Sequence, residues 1–167
     1  MGSVKTLHVV GFKNSGKTTL INRWIRLLKK NDYTVSVLKH HGHGAKLAMP
    51  DETKDSMQYL KSGADVSLVA GGGNTQHMIN HEASFSELKQ LALWNQPDVL
   101  LIEGYKMEEG DKVVLVREHT DWQELQNVTG IQLVVGLDTA CNYEQIQSRE
   151  ETEALDDWLL GYVAKEE

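Results

Sequence analysis

The sequence predicts an α/β fold with a mainly parallel sheet and an added β-hairpin, and three observations carry that expectation. Short apolar runs alternate with amphipathic stretches along most of the chain, as they do when strands are followed by crossover helices. The first run leads directly into Gly11-Phe12-Lys13-Asn14-Ser15-Gly16-Lys17-Thr18, which matches the phosphate-binding pattern G-x-x-x-x-G-K-[ST]. A later run, Val99-Leu100-Leu101-Ile102-Glu103, keeps four apolar residues together before an acid. That is the pattern of a strand buried on both faces of a parallel sheet.

Residues 4–10 read as the first strand and Lys17–Lys30 as the first helix, with Leu20, Ile21, Trp24, Ile25, Leu27 and Leu28 covering a broad apolar face. Residues 33–39 form a second strand. Pro50, Asp51 and Glu52 open a short helix carrying Met57, Leu60 and Ala64 at helical spacing, and Gly63 suits its exit. Residues 66–70 and 75–79, separated by Gly71-Gly72-Gly73-Asn74, read as a hairpin. Ser84 and Glu87 make a capping box ahead of Leu88, Leu91 and Ala92, and Pro97 introduces a strand at 99–102. A further strand at 113–116, a short helix around 122–125 and a strand at Ile131–Val135 follow. Ser148 with Glu151 caps a final helix bearing Leu155, Trp158, Leu159, Tyr162 and Val163. No internal repeat, low-complexity tract or linker interrupts this order, and 41–51 is its most irregular stretch.

At 167 residues and 40% hydrophobic content, the expectation is a single domain over 1–167. A net charge of −7 without a basic run argues against nucleic acid and against anionic membrane surfaces as partners. The one cysteine, Cys141, cannot form an internal disulfide. The N-terminal residues lack the apolar stretch of a signal peptide, and no segment approaches transmembrane length. The expected location is cytoplasmic.

The phosphate loop carries the first functional assignment, a nucleoside di- or triphosphate. Gly11 and Gly16 let backbone N–H groups converge on phosphate oxygens at the start of a helix. Lys17 reaches the terminal phosphates, and Thr18 offers a hydroxyl to Mg²⁺. Lys13, Asn14, Ser15 and Thr19 belong to the same stretch and complete the candidate nucleotide contacts. A metal also needs a carboxylate, and Glu103, at the carboxyl end of a buried parallel strand, arrives at the edge where the phosphate loop lies. Asp98 begins that strand; five steps place it about 16 Å from Glu103, so it reads as a strand-entry turn residue.

Between the second strand and the next helix stand Lys39-His40-His41-Gly42-His43-Gly44 and then Asp51-Glu52-Thr53-Lys54-Asp55-Ser56. Phosphate-loop enzymes commonly place here a segment that closes over the γ-phosphate, which Gly42 and Gly44 would permit. Its acids could touch Mg²⁺ or water. His40, His41 and His43 could instead hold a transition metal, though the run lacks a cysteine. A plain solvated loop is the third reading.

Four motifs in order, the phosphate loop through Leu20, Lys-His-His-Gly-His, Lys54-Asp55-Ser56 followed by Gly63-Ala64, and Ile102-Glu103-Gly104-Tyr105-Lys106, resemble molybdopterin-guanine dinucleotide biosynthesis protein B. The likeness spans about 4–117. It implies a three-layer P-loop NTPase fold of the class shared with nickel-insertion GTPases. It implies a homodimeric GTP-binding adaptor, with Mg²⁺ and slow GTP hydrolysis, that assists the molybdopterin guanylyltransferase joining GMP to molybdopterin. It also implies active-site roles for Lys17, Asp55 and Glu103, with Asp55 a further metal ligand beside Thr18 and Glu103. Lys106 and Arg117 become candidates for anion contacts, the alternative being surface charge.

Guanine selectivity has weaker support in the residues, because no Asn-Lys-x-Asp motif is present. Asp138, after the strand Ile131–Val135, is the nearest substitute as a base reader, or else a turn residue. Two other classes stay open on the residues alone. A small-metabolite kinase would also use Lys17, Thr18 and a strand-end acid, but no arginine-rich lid is visible. A metal-chaperone GTPase would carry its cargo on the histidine run.

Overall fold

The computed structural model describes residues 3–41, 47–136 and 141–165. The chain divides into two compact units, Met1–His40 with Gln90–Glu167, and His41–Lys89.

The first unit is organised by a six-stranded sheet in the order β2-β5-β1-β6-β7-β8. Its strands are β1 (Lys5–Gly11), β2 (Val35–Lys39), β5 (Val99–Glu103), β6 (Asp111–Leu115), β7 (Ile131–Val135) and β8 (Glu144–Ile146). Every neighbouring pair is parallel, so all carboxyl ends lie on one edge. The helices are α1 (Lys17–Lys30), α4 (His119–Leu125) and α5 (Thr152–Ala164). All five residues of β5 are buried, which is why that strand reads as an unbroken apolar run.

Successive side chains on a strand point to opposite faces, and two cores result. On one face Leu7, Val9, Val113, Leu115, Leu133 and Val135 pack with Leu20, Ile21, Trp24 and Leu28 of α1 and Leu155, Leu159 and Val163 of α5. On the other, Val10, Val114 and Val134 pack with Trp122 and Leu125 of α4. Trp158 stacks between Trp24 and Tyr162 at centroid distances of 6.2 and 5.4 Å. Tyr162 then donates to Asp111 Oδ2 at 2.7 Å, tying α5 to the start of β6.

The second unit holds α2 (Asp55–Lys61), the antiparallel hairpin β3 (Val66–Gly71) with β4 (Asn74–Ile79), and the beginning of α3 (Phe85–Leu93), whose last residues belong to the first unit. Met57 and Leu60 of α2 bury against Met78 of β4. Gly63 takes φ +103° after α2, and Ala64 N–H closes back on Tyr59 O, the left-handed helix exit the sequence announces. The Ser84–Glu87 capping box is formed in both directions: Ser84 N–H donates to Glu87 Oε2 at 2.8 Å and Glu87 N–H to Ser84 Oγ at 3.3 Å.

Two helix starts and one added strand are the larger differences from the sequence expectation. The helix expected at Pro50 starts instead at Asp55, because Asp51 Oδ1 is engaged in a turn by Thr53 N–H and Oγ1. The last helix begins at Thr152 rather than directly after Ser148. Ser148 N–H does donate to Glu151 Oε1, but the Ser148 hydroxyl turns to Glu150, so this pairing closes a turn ahead of the helix. Strand β8 is additional; only Ile146 of its three residues is buried, leaving no apolar pattern to read.

Candidate functional site

The loop from β1 into α1 lies at the carboxyl edge of the sheet, where β1 stands between β5 and β6. Three of its residues take positive φ, Gly11 at +156°, Asn14 at +63° and Gly16 at +93°. These left-handed turns let the chain wrap a small concavity before α1 starts, and the first N–H groups of a helix have no intrahelical acceptors. Ser15 is wholly buried beneath the loop. Thr19, in the first turn of α1, is exposed.

Three side chains, two of them from other loops, hold this loop by its carbonyl groups. Arg117, directly after β6, donates to Lys13 O at 3.0 Å. Arg149, ahead of α5, donates to Ser15 O at 2.7 Å. Lys17 folds back onto Gly11 O and Phe12 O at 2.9 and 2.7 Å. Burial pushes the Lys17 ammonium below the ordinary lysine range; Glu103 opposes that push, and Lys39 and Arg117 add to it.

Arg117 is itself fixed by Asp121, in the first turn of α4, through hydrogen bonds from Nε at 2.8 Å and Nη2 at 2.9 Å. Those bonds hold the Asp121 carboxyl below the usual carboxylate range and raise Arg117 in turn. Lys106 Nζ and the Arg117 guanidinium lie 5.6 and 5.9 Å from the Phe12 ring centre, so the two cations expected near the site meet at one aromatic side chain of the loop.

Glu103 ends β5, one strand over from the loop, and is buried. Thr18 Oγ1 donates to Glu103 Oε2 at 2.9 Å, and Lys39 Nζ lies 3.1 Å from Glu103 Oε1. Two hard oxygens stand side by side here. Their 2.9 Å separation is close to the edge of about 3.0 Å between adjacent ligands in an octahedron with Mg–O bonds near 2.1 Å. Mg²⁺ usually takes only one or two protein oxygens and completes its shell with phosphates and water. The donor set therefore fits Mg²⁺ held with a phosphorylated ligand. Among the described residues no group of three or more His, Cys, Asp or Glu is placed to hold a metal ion.

The sequence-selected residues thus distribute as follows. Gly11, Lys13, Asn14, Ser15, Gly16, Lys17 and Thr18 form the loop, and Glu103 joins it. Asp98 sits at the opposite end of β5, its Oδ2 accepting from Thr34 N–H and Oγ1, both at 2.6 Å. Asp55 is the exposed first residue of α2 in the second unit. His40 lies against Tyr105 at a ring distance of 4.9 Å, and His41 is exposed. His43 and Asp138 lie outside the described residues. Sequence reading did not single out Lys39, Asp121 or Arg149. Lys39 ends a parallel strand on the same edge as Glu103 and was accessible by the same logic; Arg149 stands 134 residues from Ser15, with no local pattern to mark it.

Among the described residues no helix is long and apolar enough to cross a membrane. Comparison with known proteins places this geometry in a family. Residues 6–136 match the family model for molybdopterin guanine dinucleotide synthesis protein B. A Bacillus subtilis protein named "Probable molybdopterin-guanine dinucleotide biosynthesis adapter protein" is 38% identical over 77% of this chain and 74% of its own length. The Haemophilus influenzae protein named molybdopterin-guanine dinucleotide biosynthesis adapter protein is 30% identical over 69% of this chain and 65% of its own. The crystal structure of Bacillus subtilis MobB superposes with a TM-score of 0.82 at 30% identity, covering 97% of this chain and 99% of that one. The MobB homologue from Bacillus stearothermophilus gives 0.76 at 28% identity, covering 95% and 97%. The α/β fold is therefore that of the MobB P-loop proteins, and the chain belongs to the molybdopterin guanine dinucleotide synthesis protein B family.

Proposed function

We propose that this chain is a GTP-binding adaptor in molybdopterin guanine dinucleotide synthesis. It binds Mg-GTP at residues 11–18 and assists a molybdopterin guanylyltransferase in attaching GMP to molybdopterin. The observation that carries the nucleotide part is the Thr18–Glu103 hydrogen bond at 2.9 Å beside a loop with three positive-φ residues. It joins a phosphate cradle to an oxygen pair suited to Mg²⁺.

In this reading the loop N–H groups and the start of α1 bind the phosphates, and Lys17 leaves the carbonyls of Gly11 and Phe12 to meet the terminal ones. Thr18 and Glu103 would hold Mg²⁺, which when bound neutralises phosphate charge. Asp55 is assigned a second acidic role on the family resemblance, and Asp138 remains the candidate guanine reader. No side chain among those assembled is an activated nucleophile for transferring a nucleotide. The transfer itself is therefore assigned to the partner enzyme, and hydrolysis by this chain to a slow side activity. We place the protein in the cytoplasm as a homodimer, without nucleic-acid or membrane partners.

The test mixes the chain with guanylyltransferase, molybdopterin and Mg-GTP and follows dinucleotide formation, with Lys17→Ala in parallel. Stimulation that disappears with Lys17→Ala supports the adaptor role. Synthesis by this chain alone, or no stimulation by the wild type, refutes it. Equal affinity of the wild type for GTP and ATP would refute guanine selectivity separately.

A further inference from the structure

We propose that Lys39 is a resident cation of the metal position, neutralising Glu103 in the ligand-free protein and giving way when Mg²⁺ enters with a triphosphate. The inference rests on the nucleotide reading above and adds a residue that sets its metal dependence.

The argument begins with Glu103. Its side chain retains 11% exposure, and a carboxylate so nearly buried is costly unless both oxygens are partnered. Oε2 accepts from the Thr18 hydroxyl, and Oε1 faces the Lys39 ammonium at 3.1 Å. The same ammonium lies 3.5 Å from Thr18 Oγ1. Lys39 Nζ therefore touches both residues that would hold Mg²⁺, and it supplies the positive charge the pair requires.

The fold brings Lys39 and Glu103 together. Strands β2 and β5 run parallel with Lys39 paired directly to Glu103, and His40 N–H donates to Glu103 O at 3.0 Å just beyond. Two residues at the same level of neighbouring parallel strands deliver their side chains to one edge. An ion bonded to Thr18 and Glu103 at about 2.1 Å would come too close to an ammonium that remained on the same oxygens, and like charges repel. Lys39 is able to leave, because its side chain is 52% exposed and carried on a flexible four-carbon stem. Metal entry is thus an exchange of one cation for another. Its free energy is reduced by whatever the Lys39–Glu103 pair contributes.

The experiment measures the affinity of a non-hydrolysable GTP analogue by calorimetry with Mg²⁺ and with EDTA, and takes the ratio of the two dissociation constants as the metal coupling. Lys39→Met removes the competing charge and keeps most of the stem. The coupling should rise about two- to fivefold, the range of a half-exposed ion pair, while Lys39→Arg should retain the wild-type value. In a Glu103→Gln background, Lys39→Met should no longer change it. Melting curves confirm that each variant is folded. An unchanged or smaller coupling in Lys39→Met, or the same increase with Glu103→Gln present, overturns the assignment. A wild type that binds the analogue under neither condition overturns the nucleotide reading itself, and that outcome is distinct from the others.

Discussion

Gly11→Ala tests whether the phosphate loop depends on its first glycine for the reason the structure gives. Gly11 ends β1 at φ +156°, and a Cβ there would stand 2.6 Å from Ser15 Oγ, 2.8 Å from Leu115 O and 3.2 Å from Leu115 Cβ. Neither neighbour can retreat easily. Leu115 is the sheet partner of Gly11 and has no exposed surface, and Ser15 is fully buried. The unfavourable φ costs about 1–3 kcal/mol and the overpacking about 1–3 kcal/mol more. Together, about 2–6 kcal/mol at about 2–4 °C per kcal/mol lowers Tm by about 4–24 °C. Because Ser15 must move, the loop should also lose triphosphate affinity by about tenfold or more, equivalent to about 1.4 kcal/mol. Calorimetric melting and a titration with a non-hydrolysable GTP analogue measure both effects. Gly72→Ala is the control, since Gly72 has φ +57° in the hairpin turn with nothing within 4 Å of its added Cβ. It should cost about 1–2 kcal/mol and leave affinity unchanged. A Gly11→Ala protein that melts no lower than Gly72→Ala and binds like the wild type would refute the steric argument.

Two further predictions address the site and its support. Thr18→Ala and Glu103→Gln should lower the Mg²⁺-dependent part of triphosphate affinity while changing binding in EDTA little, because each removes an oxygen ligand; metal coupling equal to wild type in Glu103→Gln would mean that another acid serves. Asp121→Asn should alter the acid limb of stability. The carboxyl is held below its ordinary value of 3.8 by Arg117, so its contribution is present above that value and is lost as pH falls through the lowered one. The Tm difference between wild type and Asp121→Asn should therefore shrink on acidification from about pH 5 towards pH 2, and a constant difference would show that the ionised pair is not what Asp121 contributes.

What the sequence disclosed and what it concealed follow from how local each signal is. The phosphate loop is contiguous, and its glycines, lysine and threonine are required by backbone shape and charge within eight positions. Glu103 was legible because full burial of β5 leaves an unmistakable apolar run that ends in an acid. The Ser84–Glu87 box and the Gly63 helix exit were legible for the same reason. Strand β8 was hidden, since a three-residue edge strand with one buried side chain needs no apolar pattern. The late start of α5 was hidden because a serine and a glutamate three residues apart fit a turn as well as a cap, and the Ser148 hydroxyl decides between them by choosing Glu150. Arg149 was concealed most completely. β7 and β8 take the chain to the far edge of the sheet, and Arg149, which follows β8, reaches back to Ser15 O, a long-range consequence of topology.

Arg149 and Arg117 also show why a phosphate site can depend on residues that need not touch phosphate. A trans peptide is planar, with its carbonyl and its N–H pointing in opposite directions. Arg117 holds Lys13 O and Arg149 holds Ser15 O, so the two arginines fix the peptides whose N–H groups belong to Asn14 and Gly16. Pulling the carbonyls to one side presents those N–H groups to the other, before any ligand arrives. Arginine suits this position because its guanidinium has only donors and does not lose its charge. Asp121 removes the remaining rotational freedom of Arg117 by engaging Nε and Nη2, leaving Nη1 for Lys13 O. The loop is then preorganised at its outer surface. That reduces the ordering cost of binding at the inner one, and it divides the cations around the loop by contact: the arginines hold the Lys13 and Ser15 carbonyls, while Lys17 rests on Gly11 O and Phe12 O and Lys39 on Glu103, the partners that a metal-bound triphosphate replaces in the proposed function.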